Sequence, residues 1–111
     1  MKENKLKKRI ENGEAGFGVI SPTTDPILCE YMGLLGMDYY MVDAEHGAIT
    51  ASDVTNMVSA SELRDITPLA RIRSVDPKLI LQYMDAGIMG VMMPSIDTVD
   101  DVKRLVEAIK Y

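Results

Sequence analysis

The sequence predicts an α/β chain in which crossover helices join the strands of a parallel sheet. Three observations carry this. Short apolar runs alternate with helix-length amphipathic stretches about four times over. The apolar runs are near-continuous rather than alternating, the pattern of strands covered on both faces. Helix signals then punctuate the chain: Asp25-Pro26 and Asp76-Pro77 each pair a capping acid with a proline suited to the first helical position, and Gly36 and Gly87 close the same two helices. Parallel strands require crossovers of this length.

Each element has its own reason. Asn4 to Asn12 places Leu6 and Ile10 four apart among lysines, a short amphipathic helix closed by Asn12-Gly13. Ala15 to Ile20 is apolar, glycine-broken and ended by Ser21-Pro22, a first strand. Behind Asp25-Pro26 a helix carries Ile27, Leu28, Tyr31, Met32 and Leu35 on one apolar face. Tyr39 to Asp43 is the second strand, and Ser52 or Asp53 caps a helix that turns Val54, Met57, Val58 and Leu63 inward. Thr67 to Ile72 is the third strand, with Pro68 near its start. Lys78 to Ala86 is a helix burying Leu79, Ile80, Tyr83 and Met84. Gly90 to Met93, ended by Pro94, is a short fourth strand; Thr98 to Ile109 is the last helix, with Val102, Leu105, Val106 and Ile109 in register.

Composition narrows the function. The 111 residues suffice for one small domain. A hydrophobic share of 47% against 26% charged places the chain with soluble globular proteins rather than disordered ones. The net charge of −5 argues against a nucleic-acid partner. The basic cluster from Lys2 to Arg9 is interleaved with acid and reads as a solvated helix face. No apolar run approaches the ~20 residues of a membrane span, and no secretory core follows the lysine-rich start, so no membrane partner and a cytoplasmic location are expected. Cys29 has no partner for an internal disulfide and reads as a small core residue, and the nine methionines read as gap-filling core.

Two folds suit this order: an open doubly wound sheet, or part of a (β/α)8 barrel. The first strand lacks a dinucleotide fingerprint, since Gly13, Gly16 and Gly18 fall before or inside it. Barrel enzymes carry their chemistry at the C-terminal ends of several strands. Here Met41 to Gly47 reads MVDAEHG: an apolar run stops at Asp43 and delivers Glu45 and His46, the only histidine. The first strand ends in Ser21, the third in Arg71 and the fourth at Pro94-Ser95, so acid, imidazole and guanidinium would meet on one rim. Nearby carboxylates favour the imidazolium and fix the tautomer, as a general base needs. An arginine closing a buried strand is costly unless an anion meets it. The plainer readings are a surface histidine capping a turn and an arginine paired with a structural carboxylate. Arg73 lies beyond the strand and reads as structural. Asp85 closes a helix against its dipole, which hints at a specific partner.

In order and spacing, VDAEHG (Val42 to Gly47), PLAR (Pro68 to Arg71) with Asp76 after it, MDAG (Met84 to Gly87), GVMMP (Gly90 to Pro94) and AIKY (Ala108 to Tyr111) resemble the class II pyruvate-dependent aldolases. These include 4-hydroxy-2-oxoheptanedioate aldolase and 2-dehydro-3-deoxyglucarate aldolase, relatives of the citrate lyase beta subunit. The resemblance covers nearly the whole chain. It implies a (β/α)8 barrel and reversible cleavage of a 4-hydroxy-2-oxo acid into pyruvate and an aldehyde, through a pyruvate enolate. It implies a divalent metal, Mg or Mn, chelating the pyruvate carboxylate and keto oxygen. It assigns His46 to the acid–base machinery, acting through a water, and Asp85 to orienting that histidine or its water. Arg71 would bind substrate and stabilise the enolate oxygen, and Asp43 matches the acid before the histidine. A metal and a guanidinium opposing enolate charge in a dry site is a physically sound division of labour.

A complete barrel is typically ~250 residues. Residues 1–111 are therefore expected to form a single partial barrel domain of about four βα units, its N-terminal portion, with the C-terminal part absent. The family's metal-binding glutamate and aspartate lie beyond Tyr111, so no metal ligand is assigned here and the chain alone is expected to be inactive or nearly so. Its open sheet edges should associate with a missing half or with each other. Two functions suit these features: a lyase completed by a second chain or a longer parent, and a non-catalytic remnant or assembly module that keeps the fold.

Overall fold

The computed structural model describes residues 3–46 and 49–110. Lys2 of the basic cluster, Gly47 of VDAEHG and Tyr111 of AIKY lie outside the described residues.

The helix signals are made as hydrogen bonds. Asp25 accepts from the Ile27 N–H at 2.9 Å ahead of α2 (Pro26–Leu34), and Asp76 from the Lys78 N–H at 3.0 Å ahead of α4 (Pro77–Asp85). Asn4 does the same for Lys7 at the start of α1 (Lys5–Glu11). Between α2 and α4, α3 (Thr55–Leu63) starts later than expected because a 3-10 turn, Ala51–Val54, precedes it. Asp53 serves that turn, taking the Thr50 N–H and hydroxyl at 2.8 and 3.0 Å. The last helix, α5, runs Val99–Lys110. Gly87 turns α4 toward the next strand at φ 106°, where a Cβ would also strike Val58.

Four parallel strands, β1 (Gly18–Ser21), β2 (Tyr39–Asp43), β3 (Thr67–Arg71) and β4 (Val91–Met92), form one sheet in chain order. Three of them are shorter than or shifted from the sequence expectation. β1 begins at Gly18 because its pairing with Tyr39 begins there, and the Gly18 backbone lies so close to the Tyr39 carbonyl that no side chain would fit. β3 ends at Arg71, and β4 shrinks to the two residues that pair with Ala70 and Arg71.

Consecutive order has a consequence. Right-handed crossovers between neighbours taken always in the same direction put every helix on one side of the sheet. A doubly wound sheet would reverse its order and cover both sides. Here Tyr40, Val42 and Ala70 pack against Cys29, Met57, Ile80 and Tyr83 on the helix side, all fully or almost fully buried. Burial pushes the Cys29 thiol up to about 11, so it sits inert in the core. The buried tyrosines are satisfied, Tyr40 donating to the Thr23 carbonyl and Tyr83 to that of Ile49.

The other face carries Ile20, Tyr39, Met41, Asp43, Thr67, Leu69, Arg71 and Met92 by register. α1 closes only its N-terminal end, with the Leu6 N–H donating to Thr67 Oγ1 and Asn4 Nδ2 to the Met89 carbonyl. Beyond α1, Ile20 and Met92 are half-exposed, so burial on both faces, expected from the apolar runs, is not reached in this chain. Several helix faces also differ. Ile10, Ile27, Tyr31, Leu35, Leu63, Val102 and Val106 turn outward, while Ala60 and Ser61 face in and Cys29 lies in the core as expected. A short helix on a sheet buries a narrow stripe, and apolar residues beside that stripe stay outside it.

Candidate active site

β2 and β3 end level with each other, Asp43 opposite Arg71, with both side chains on the helix-free face. They form a two-pronged ion pair: Arg71 Nε donates to Asp43 Oδ1 at 3.2 Å and Nη2 to Oδ2 at 2.5 Å. The chain beyond β2 is held to this pair. The Ala44 N–H donates to the Arg71 carbonyl at 2.8 Å, and the Glu45 N–H to Asp43 Oδ1 at 3.1 Å. Glu45, two residues past Asp43, thereby brings Oε1 to 3.5 Å from Arg71 Nε and 2.9 Å from His46 Nε2. Asp43, Glu45 and Arg71 are largely buried, whereas the His46 side chain is 75% exposed and open to a substrate or a water.

The pairing fixes the roles available. The hydrogen bonds from Arg71 hold the Asp43 carboxyl below the usual carboxylate range, and Asp43 in turn raises the affinity of Arg71 for its proton. Asp43 is therefore an anchor for the guanidinium and not a proton carrier near neutrality. Among the described residues nothing engages Arg71 Nη1, so part of the guanidinium fork faces outward, ready for an anionic oxygen. Glu45, accepting an Nε2–H from His46, would leave Nδ1 as the basic nitrogen.

Other sequence candidates fall elsewhere. Ser21 is buried on the helix side, where its Oγ accepts from the Thr23 N–H; it belongs to a turn. Asp85 is the last residue of α4, and the following Met89 N–H pairs with the carbonyl of Pro68 near the start of β3. Asp85 thus lies toward the N-terminal end of the strands and His46 beyond the C-terminal end. Within one chain Asp85 does not reach His46, and the expectation that it orients the imidazole is not met by this geometry. The carboxylate that does reach the ring is Glu45, one of the two nearby carboxylates that the sequence sets beside His46. Its signal was its spacing: residues 43 and 45 share a side in extended chain.

The implied metal finds no site among the described residues, which bring together no group of three His, Cys, Asp or Glu side chains able to hold one. Asp43 and Glu45 are instead turned to Arg71 and His46. Among the described residues no helix is long and apolar enough to cross a membrane.

A parallel sheet in chain order with its crossover helices on one side, and an acid–imidazole–guanidinium cluster at the strands' C-terminal ends, is the layout of an arc of a (β/α)8 barrel. The chain belongs to the HpcH/HpaI aldolase/citrate lyase family, whose model matches residues 17–111. It is 26% identical over 108 residues to the hydroxypyruvate/pyruvate aldolase of Roseobacter denitrificans, covering 97% of this chain and 42% of that protein. It is 28% identical to the 2-keto-3-deoxy-L-rhamnonate aldolase of Escherichia coli, covering 97% of this chain and 40% of the relative. The chain thus spans about two-fifths of the length of these curated relatives. The crystal structure of an HpcH/HpaI aldolase from Desulfitobacterium hafniense DCB-2 superposes with a TM-score of 0.87 at 27% identity, covering 96% of this chain and 41% of that one. Macrophomate synthase shares the fold at a TM-score of 0.72 and 19% identity, covering 91% of this chain and 35% of its own.

Proposed function

We propose that this chain carries the acid–base and cationic part of a pyruvate-dependent aldolase site, cleaving a 4-hydroxy-2-oxo acid to pyruvate and an aldehyde. The observation that carries the reading is the Arg71–Asp43 pair at the ends of adjacent strands, with Glu45 and His46 beside it and Nη1 of the guanidinium engaged by none of the described residues.

In this reading His46, directly or through a water, takes the proton of the substrate's 4-hydroxyl. The bond between C3 and C4 breaks, the aldehyde leaves, and the electron pair passes into the enolate of pyruvate. Arg71 donates to the developing enolate oxygen, and Asp43 keeps the fork aimed. A proton returned to C3 completes pyruvate. The reverse direction begins with removal of a proton from the pyruvate methyl. A divalent cation, Mg or Mn, would take its ligands from outside the described residues and add positive charge at the enolate.

The two named relatives act, by their names, on hydroxypyruvate or pyruvate and on a 2-keto-3-deoxy acid, which supports a 2-oxo acid as the shared substrate class. Residues 1–111 would act as a partial barrel domain, completed by further strands from a second chain or a longer parent, or by self-association. The reduced, buried Cys29 suits a cytoplasmic location. The alternative is an assembly module that keeps the fold without catalysis.

The test is exchange of the pyruvate methyl protons with solvent, followed by NMR with Mg or Mn. It is run on the chain alone and mixed with the C-terminal half of a relative shown to assemble with it. Exchange in the mixture, lost in His46→Ala and Arg71→Ala, is the expected result. No exchange in an assembled mixture would leave the assembly module as the function.

A further inference from the structure

We infer that Met92 is a specificity-determining residue of the candidate site: its side chain walls the place of C3 of the 2-oxo acid and selects an acid with no polar group on that carbon. The inference rests on the aldolase reading and adds to it the choice of nucleophile.

Three observations place Met92. β4 pairs Met92 with Arg71 as β2 pairs Asp43 with it, so the three residues form one row across the strands' C-terminal ends. Paired residues of neighbouring strands share a face, and backbones ~4.8 Å apart bring their side chains together. Val91 and Met93, on either side of Met92, pack against the helix-side core, so Met92 takes the opposite face, where it is 41% exposed. A Cβ on Gly90 would lie 3.0 Å from a methyl carbon of Leu69. Leu69 thus leans across Gly90 and fills the space one step below Met92, which leaves the thioether at the level of the rim.

The guanidinium sets the direction of the substrate. Arg71 gives Nε and Nη2 to Asp43, on its β2 side. In the planar fork Nη1 lies on the far side of the group from that edge. β2 and β4 flank β3 on opposite sides, so a donor turned from β2 is turned toward β4 and Met92. An enolate oxygen taken by Nη1 would sit between the guanidinium and the thioether. That oxygen is carried by C2, whose neighbours are the C1 carboxylate and C3. Met92 has no proton to offer a carboxylate, and neither have Met41 and Leu69, the pair below the row on the same face. The carbon that suits this wall is C3, a methyl in pyruvate. A hydroxyl on C3 would give up water there for a weak thioether acceptor.

The test compares pyruvate with hydroxypyruvate in the protein assembled with the C-terminal half, with Mg, by exchange of their C3 protons in NMR. Met92→Gln keeps the length of the side chain and supplies an amide donor, while Met92→Leu keeps it apolar. Exchange of hydroxypyruvate relative to pyruvate should rise about tenfold in Met92→Gln and stay within about twofold of the wild type in Met92→Leu. A second measurement needs no turnover. With the methionine methyls of this chain labelled with ¹³C, pyruvate should shift the Met92 resonance, assigned by its loss in Met92→Leu, and leave that of the fully buried Met57 in place. An unshifted Met92 methyl, or the wild-type ratio in Met92→Gln, overturns the inference and leaves the aldolase reading standing wherever pyruvate still exchanges. No exchange of either acid by the assembled wild type removes both.

Discussion

β2 is bracketed by two arginine–aspartate pairs, and they do different work. At its N-terminal end Asp38 accepts the Phe17 N–H at 2.8 Å and pairs with Arg9 at 3.4 Å. All three nitrogens of Arg9 are used: Nε and Nη2 on the Ala15 carbonyl, Nη1 on Glu14. At its C-terminal end, among the described residues, Arg71 meets Asp43 and Glu45, and none of them engages Nη1. The same two residue types make a latch at one end, where every nitrogen of the arginine closes a loop, and the candidate site at the other, where none of the described residues takes Nη1. Location follows the barrel rule that one end of the strands holds the fold and the other carries chemistry.

The largest expected effect breaks the second pair. Arg71→Ala in the reconstituted protein should lower pyruvate proton exchange about 10²–10³-fold, the usual loss when one donor to a developing oxyanion is removed. Arg71→Lys should not restore it, because a lysine cannot span both Asp43 oxygens and still point a donor outward. Next comes the first pair. Asp38→Ala removes the acceptor of the Phe17 N–H and one anchor of Arg9, at a cost of about 1–2 kcal/mol in urea unfolding. Exchange per assembled molecule should stay within a factor of about two in that variant. If Asp38→Ala abolished exchange in folded protein, the division between latch and site would be wrong.

A smaller effect follows from titration. Arg71 depresses the Asp43 carboxyl in the folded chain. The unfolded carboxyl titrates near 3.9, so the pair's contribution is complete well above that value and is lost as pH falls through the folded, lower one. In Asp43→Asn the contribution is absent at every pH. The urea midpoint should therefore fall less between pH 7 and pH 3 in this variant than in the wild type. Asp53 and Asp101 are also held low by hydrogen bonds, so the acid slope should shrink and not vanish.

The sequence made the sheet and the rim legible because both rest on local chemistry. Proline after aspartate marked two helix starts, apolar runs marked the strands, and each strand's end residue marked the rim. Asp43 and Arg71 face each other because each closes its strand and the strands pair in register. What was not legible depended on direction. The periodicity of α2 counts apolar residues without saying which side meets the sheet, so Ile27, Tyr31 and Leu35 face outward where an inward stripe is expected. An apolar run looks alike whether both faces of its strand are packed or one awaits further strands, so the exposed Ile20 and Met92 carry no sequence signal. Asp85 was placed with His46 by resemblance, while chain direction puts α4's last turn toward the strands' beginnings.

The smallest expected effect moves a proton without moving the fold. The two carboxylates considered for His46, Glu45 and Asp85, differ in which end of the strands they occupy. His46 is the only histidine, so ¹⁵N NMR of labelled chain reports its two ring nitrogens without ambiguity. With Glu45 accepting at Nε2, the neutral ring should be mainly the Nε2–H tautomer, leaving Nδ1 as the base. Glu45→Ala, which removes the acceptor, should lower the Nε2–H population toward that of an unpartnered imidazole. Asp85→Asn should leave both ¹⁵N shifts unchanged in the monomeric chain. The opposite pattern, sensitivity to Asp85 and none to Glu45, would mean that the imidazole is oriented across a contact between copies. A general base held by its own neighbour needs no such contact to be poised, so the two outcomes separate a rim assembled within one chain from one assembled between chains.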